Sequence, residues 1–105
     1  MEIFNGDSLI FNYSCCLEDN LPYEFKKDEI VKTIIYNQAR KECCITHEIP
    51  IEENTSDINI HISSSEMRKL KPGIHILEIK LITNSDIITT YQENVLIKES
   101  WVINE

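Results

Sequence analysis

Ser8-Leu9-Ile10-Phe11-Asn12-Tyr13-Ser14-Cys15-Cys16-Leu17 alternates with a period of two: Leu9, Phe11, Tyr13, Cys15 and Leu17 fall on one side, Ser8, Ile10, Asn12, Ser14 and Cys16 on the other. Successive side chains leave opposite faces of a pleated backbone, so this stretch over residues 8–17 predicts a half-buried strand. The rest of the chain repeats the pattern in short pieces separated by turn residues.

Upstream, Asn5-Gly6-Asp7 sets off a short start containing Ile3 and Phe4. Downstream, Glu18-Asp19-Asn20 and Pro22 signal a loop. Ile30 to Asn37 is rich in Ile, Val, Thr and Tyr but alternates poorly, which predicts a strand buried on both faces. Cys43, Ile45, His47, Ile49 and Ile51 alternate against Cys44, Thr46, Glu48 and Pro50, and Pro50 places that end at an edge or a strand terminus. After a turn at Glu52 to Ser56, Ile58, Ile60 and Ile62 share a face opposite Asn59 and His61. Ser63 to Leu70, with a serine cap, Glu66 and the Met67 to Leu70 spacing, predicts one short helical turn near residues 64–70, stopped by Pro72-Gly73. Residues 74–83 set Leu77, Ile79 and Leu81 against Glu78 and Lys80, and Asn84-Ser85-Asp86 turns the chain into a last strand over residues 87–98.

Seven or eight short strands, with turns about every 8–12 residues, predict an all-β fold: an immunoglobulin-like two-sheet antiparallel sandwich. A small barrel is the alternative, disfavoured by the shortage of glycines for sharp corners. The absence of linkers, repeats and low-complexity segments predicts one domain over residues 1–105. Ile dominates a 42% hydrophobic composition in which Ala39 is the single alanine, and such β-branched side chains suit pleated surfaces.

A formal charge of −8 and a pI near 4.8 repel polyanions, so nucleic acid and anionic membrane surfaces are not expected partners. No apolar run approaches the roughly 18 residues of a membrane span. Met1-Glu2-Ile3-Phe4-Asn5 lacks a basic n-region and an apolar h-region, which predicts cytoplasmic synthesis. In that setting the pairs Cys15-Cys16 and Cys43-Cys44 are expected to be reduced.

Cys43, Cys44 and His47 invite a metal test. On one strand Cys43 and His47 share a face but lie about 13 Å apart at roughly 3.3 Å per residue, while Cys43 and Cys44 point to opposite faces. They cannot chelate one zinc together, and a site completed by Cys15 lacks any C-x-x-C spacing, so these thiols are read as small core fillers. Cysteine–histidine catalysis would need an exposed, low-pKa thiolate beside an imidazole, which nothing here supplies. His47, His61 and His75 all fall within predicted strands and are read as packing or surface residues. The pairs Glu18-Asp19, Asp28-Glu29 and Glu52-Glu53 fall in turns or strand ends, where charges are solvated. With only two glycines there is no phosphate-binding loop, and Gly-x-Ser-x-Gly is missing. The expectation is therefore no catalytic residues, no cofactor, no metal and no small-molecule substrate.

Leu70-Lys71-Pro72-Gly73-Ile74-His75-Ile76-Leu77 has the layout of the turn before strand F in immunoglobulin-like domains, with His75 at the tyrosine position and Leu77 at that of the second cysteine. The inter-sheet disulfide of antibody domains is thus absent. More narrowly, the chain resembles the immunoglobulin-like N-terminal domain of phage baseplate upper proteins and related prophage tail proteins. The resemblance lies in Gly6-Asp7-Ser8-Leu9-Ile10-Phe11, in the Leu70 to Gly73 turn, and in the length of the hairpin Ile74 to Lys98 with its Thr89-Thr90-Tyr91 stretch. It implies a non-enzymatic structural or assembly role as a tail or baseplate component or accessory, or a small protein left in a prophage, made in a bacterial host cytoplasm and in the first case incorporated in a virion.

Partner contact is expected from two places. Trp101, Val102 and Ile103 form an apolar tail segment suited to anchoring a neighbouring subunit. Exposed sheet edges can add a partner strand, unless lysines such as Lys26, Lys27, Lys32 and Lys98 protect them. The alternative to an assembly protein is an acidic intracellular binding module or inhibitor that masks a basic surface on a host or bacterial protein.

Overall fold

The computed structural model describes residues 1–16, 21–39 and 41–99, with the backbone alone described at Cys43. Within these residues the chain is all-β. Its strands are β1 (Glu2–Phe4), β2 (Leu9–Tyr13), β3 (Ile30–Asn37), β4 (Cys43–Pro50), β5 (Ile58–Ile62), β6 (Gly73–Ile82) and β7 (Ile87–Lys98), with one helical turn, α1 (Ser64–Met67). Five strands form a sheet in the order β1-β7-β6-β3-β4, and β2 pairs with β5 in a second, two-stranded sheet.

One core lies between the two sheets. Leu9, Tyr13, Ile60 and Ile62 reach it from the small sheet, and Val31, Ile35, Ile45, Leu77, Ile79, Leu81, Val95 and Ile97 from the large one. Met67 and Leu70 close one end from the helical turn, where Ser63 caps α1 by accepting the Glu66 amide at 3.4 Å. Gly73 opens β6 at φ +136, with nothing within 4 Å of the position a Cβ would take. The backbone angle, and not crowding, is what requires glycine there. His75, almost fully buried, sets Nδ1 3.3 Å from the Gly73 carbonyl oxygen, while Leu77 is wholly buried.

Several expectations need correction. The strand over residues 8–17 is hydrogen-bonded only to Tyr13; alternating burial continues to Cys15, and Cys16 forms an isolated bridge with Pro22. Leu17 lies outside the described residues. Pairing is not wholly antiparallel, because β1 runs parallel to β7, with Ile3 opposite Ile97. Those three residues satisfy the otherwise open end of β7, whose Leu96 amide donates to the Met1 carbonyl at 2.8 Å.

β3 is not buried on both faces. Val31, Thr33 and Ile35 face the core, while Ile30, Lys32, Ile34 and Tyr36 are only half-buried on the other side. A register shift between Ile35 and Tyr36, where Ile35 opposes Ile45 and Tyr36 opposes Cys43, makes Cys44 the extra residue of a β-bulge. Cys44 consequently packs against the core, although simple alternation put it on the opposite side from Ile45. Lys32 and Lys98 guard no edge, since β3 lies between β6 and β4, and β7 between β6 and β1.

Candidate interaction surface

Register fixes which side chains share the outer face of the five-stranded sheet. Parity from the core-facing residues puts Ile87, Ile82, Ile30 and Pro50 in one cross-strand row, then Thr89, Lys80, Lys32 and Glu48 in the next. Gln92, Glu78, Ile34 and Thr46 follow, and beyond them Asn94, Ile76 and Tyr36. Leu96, Ile74, Glu2, Phe4 and Lys98 complete the face. This face is apolar and open: Phe4 is 44% exposed, Ile74 51%, Ile87 68% and Leu96 37%. Phe4, Ile74 and Leu96 gather at one end of the face and Ile87 lies at the other, with charged and polar rows between them; exposed apolar side chains grouped on one sheet face suit a contact site.

The charges on this face cancel. Its three lysines and three glutamates pair as Lys32 with Glu48 at 3.8 Å, Lys80 with Glu78 at 3.5 Å and Lys98 with Glu2 at 3.2 Å. The net charge of −8 therefore falls entirely on the rest of the chain. Glu78 is also held by the Tyr36 hydroxyl at 3.0 Å and by Gln92 Nε2 at 2.8 Å. Beside Ile74, a concavity of 390 Å³ lined by Asn37, Gln38, Ala39, Gly73 and Ile74 extends the patch past the sheet.

The edges differ in how they are closed. β1 covers β7 only at its C-terminal end, where the Met1 amine donates to the Asn94 carbonyl at 3.2 Å and the Asn5 amide to the Lys98 carbonyl at 2.7 Å. By strand parity, and allowing for the bulge between Ile79 and Lys80, the Gln92, Thr89 and Ile87 backbones face an edge with no paired strand among the described residues. β4, the opposite edge, ends in Pro50 and carries the Cys44 bulge, both of which hinder strand addition.

The Cys44 thiol donates to the Glu42 carbonyl at 3.6 Å, and burial pushes the Cys15 thiol up, away from the thiolate a nucleophile needs. Among the described residues no group of three His, Cys, Asp or Glu could hold a metal, and no helix is long and apolar enough to cross a membrane. His47 is half-buried on β4, and His61 is exposed on β5. Asp28-Glu29 and Glu52-Glu53 sit at the turns flanking β3 and β4, while Glu18-Asp19 falls outside the described residues. Trp101, Val102 and Ile103 also lie outside the described residues. The outer face was missed at the level of sequence, yet its signal was present in the poor alternation of Ile30 to Asn37; the sequence named exposed edges without saying which.

The four tyrosines share an electrostatic direction. Burial raises Tyr13, whose hydroxyl bonds Thr90 Oγ1 at 2.6 Å, and burial together with Glu29 pushes Tyr23 up to about 12. Hydrogen bonding to Glu78 raises Tyr36, and hydrogen bonding to Glu93 raises Tyr91. Because the folded-state pKa values exceed the unfolded ones, each contribution is complete below the ordinary value of 10.0 and is lost as pH climbs through the folded value, which for Tyr23 is about 12. A spectrophotometric titration should show the tyrosines less than half ionised at pH 10, with further ionisation accompanied by loss of near-ultraviolet circular dichroism. Half-ionisation at pH 10 with the fold intact would contradict these contacts.

Comparison with protein-family models, with curated proteins and with solved structures finds no match for this chain.

Proposed function

We propose that this chain is a non-enzymatic assembly protein of phage or prophage origin, a tail or baseplate component or accessory that acts through protein contacts. The observation carrying this reading is the electroneutral, apolar outer face of the five-stranded sheet in a chain of net charge −8. An immunoglobulin-like sandwich is part of the proposal. It is supported by the strand order β1-β7-β6-β3-β4 opposite β2-β5, by the shared core, and by His75 bonding back toward Gly73 near the position a corner tyrosine would hold. The phage assignment rests on the resemblance carried by Gly6 to Phe11 and Leu70 to Gly73. In this reading the protein is made in the bacterial cytoplasm and incorporated in a virion.

One observation favours the alternative of an acidic inhibitor. Asp28, Glu29, Glu52, Glu53 and Asp86 all flank the Ile87-Ile82-Ile30-Pro50 row and outnumber Lys26 and Lys27 at the same end of the sheet, suited to a basic partner.

Sedimentation of particles from an induced culture of the encoding bacterium tests the choice. The intact chain should travel with purified particles, and Ile74→Thr with Leu96→Thr should reduce its share on the order of tenfold. A chain that stays wholly in the free protein fraction sinks the assembly reading.

A further inference from the structure

We infer that the outer face of the five-stranded sheet is a self-association surface, on which two copies of this chain stack face to face about a two-fold axis. The inference names the partner for the surface proposed above and rests on that reading of it as a protein contact.

Charge is the first argument for a second copy. Two chains of −8 repel wherever their general surfaces meet, and a long-range field of that sign opposes association. The outer face carries no such repulsion, because Lys32, Lys80 and Lys98 are each matched by a glutamate at 3.8, 3.5 and 3.2 Å. On such a neutral surface two copies meet without pressing carboxylate on carboxylate. A strongly basic partner would instead favour the carboxylate-rich end of the sheet, leaving this face unused.

Area is the second. Strands spaced about 4.8 Å apart and rising about 3.3 Å per residue give five strands of 3, 12, 10, 8 and 8 residues, about eight on average, a face of roughly 24 by 26 Å, or roughly 600 Å² per copy. Two such faces reach about 1,200 Å², the lower bound of a specific interface. Sheets stack about 10 Å apart, which leaves room for Phe4, Ile74, Ile87 and Leu96 to interdigitate. The ion pairs lose solvent on stacking, and that cost holds the dimer to modest affinity.

The third argument is a closed interface. An isologous pair uses the same patch twice and leaves none over, whereas pairing along the open β7 edge would leave the apolar face exposed in the dimer.

Sedimentation equilibrium of the reduced full chain, over a concentration series at low and high salt, tests the inference. A monomer–dimer equilibrium is expected, with Kd falling severalfold as salt screens the repulsion off the face. Lys80→Glu, which moves the face by two charge units, should raise Kd on the order of tenfold or more, and Ile74→Thr with Leu96→Thr should do the same without adding charge. Unchanged near-ultraviolet circular dichroism identifies variants that retain the fold. Hydrogen exchange separates face from edge: amides of Ile87, Thr89 and Gln92 should exchange equally fast in monomer and dimer. A monomer at all concentrations overturns the inference, as does a dimer indifferent to these substitutions or one that protects the β7 amides. A monomer that still travels with particles overturns self-association alone, and a dimer absent from particles overturns the assembly reading alone.

Discussion

Phe25→Ala is expected to lower the unfolding free energy by about 3–5 kcal/mol, a large share of the roughly 5–15 kcal/mol that holds a domain together. Phe25 is wholly buried although it stands in the loop between β2 and β3. Its ring meets Tyr23 edge-on at 5.5 Å and lies tilted against Tyr13 at 6.4 Å. Its amide donates to the Thr55 carbonyl at 2.7 Å, and its carbonyl accepts from the Thr55 amide at 3.0 Å. Those backbone bonds pin the loop, so the walls around a deleted ring cannot easily collapse and the void is kept. Urea denaturation should show a lower midpoint with an unchanged slope. Phe25→Leu, closer in volume, should cost less than about 1.5 kcal/mol. A loss under about 1 kcal/mol for the alanine variant would mean that the ring is not a wall of the core.

Thr33→Val should act in the opposite direction, raising stability by about 1–2 kcal/mol. Thr33 is wholly buried on the core side of β3, between Ile79 and His47 on the neighbouring strands. Among the described residues its hydroxyl is the one buried side-chain polar atom with no hydrogen-bond partner. Folding strips that oxygen of water and returns nothing, whereas a methyl of similar shape carries no such cost and keeps the β-branched form that a central strand favours. An upward shift of the urea midpoint checks the expectation. A loss of stability would show that the hydroxyl bonds a group in solution.

Strand positions were the most legible part of this sequence. The last hairpin was expected at residues 74–83 and 87–98 and is found at Gly73–Ile82 and Ile87–Lys98, because alternating Leu77, Ile79 and Leu81 leave little choice of face. Phe25 escaped because a loop residue has no periodicity to betray its burial. Cys44 was misassigned because a bulge changes parity by one, and nothing local announces a bulge. The reading of β3 as buried on both faces mistook apolar composition for coverage. Ile30, Ile34 and Tyr36 are apolar and only half-buried on a side that no other described strand covers. Composition along a strand reports which faces are apolar; it does not report whether the cover belongs to the same chain. The open edge of β7 could not be read at all, since it depends on β1 being three residues long and pairing at one end.

The parallel pairing of β1 with β7 carries a kinetic consequence. Met1 meets Asn94 across 93 positions, and closing so long a loop in an otherwise unfolded chain costs on the order of 4 kcal/mol in entropy. Contacts of such high sequence separation form late, after β3, β6 and β7 have supplied a template on which three residues can dock. During synthesis the first strand must wait for the last one to emerge. Until then the whole length of β7 is an unpaired edge, and any fluctuation that frees Glu2–Phe4 restores that state. The shortest of the described strands thus governs how much open edge the chain presents to its neighbours while it folds.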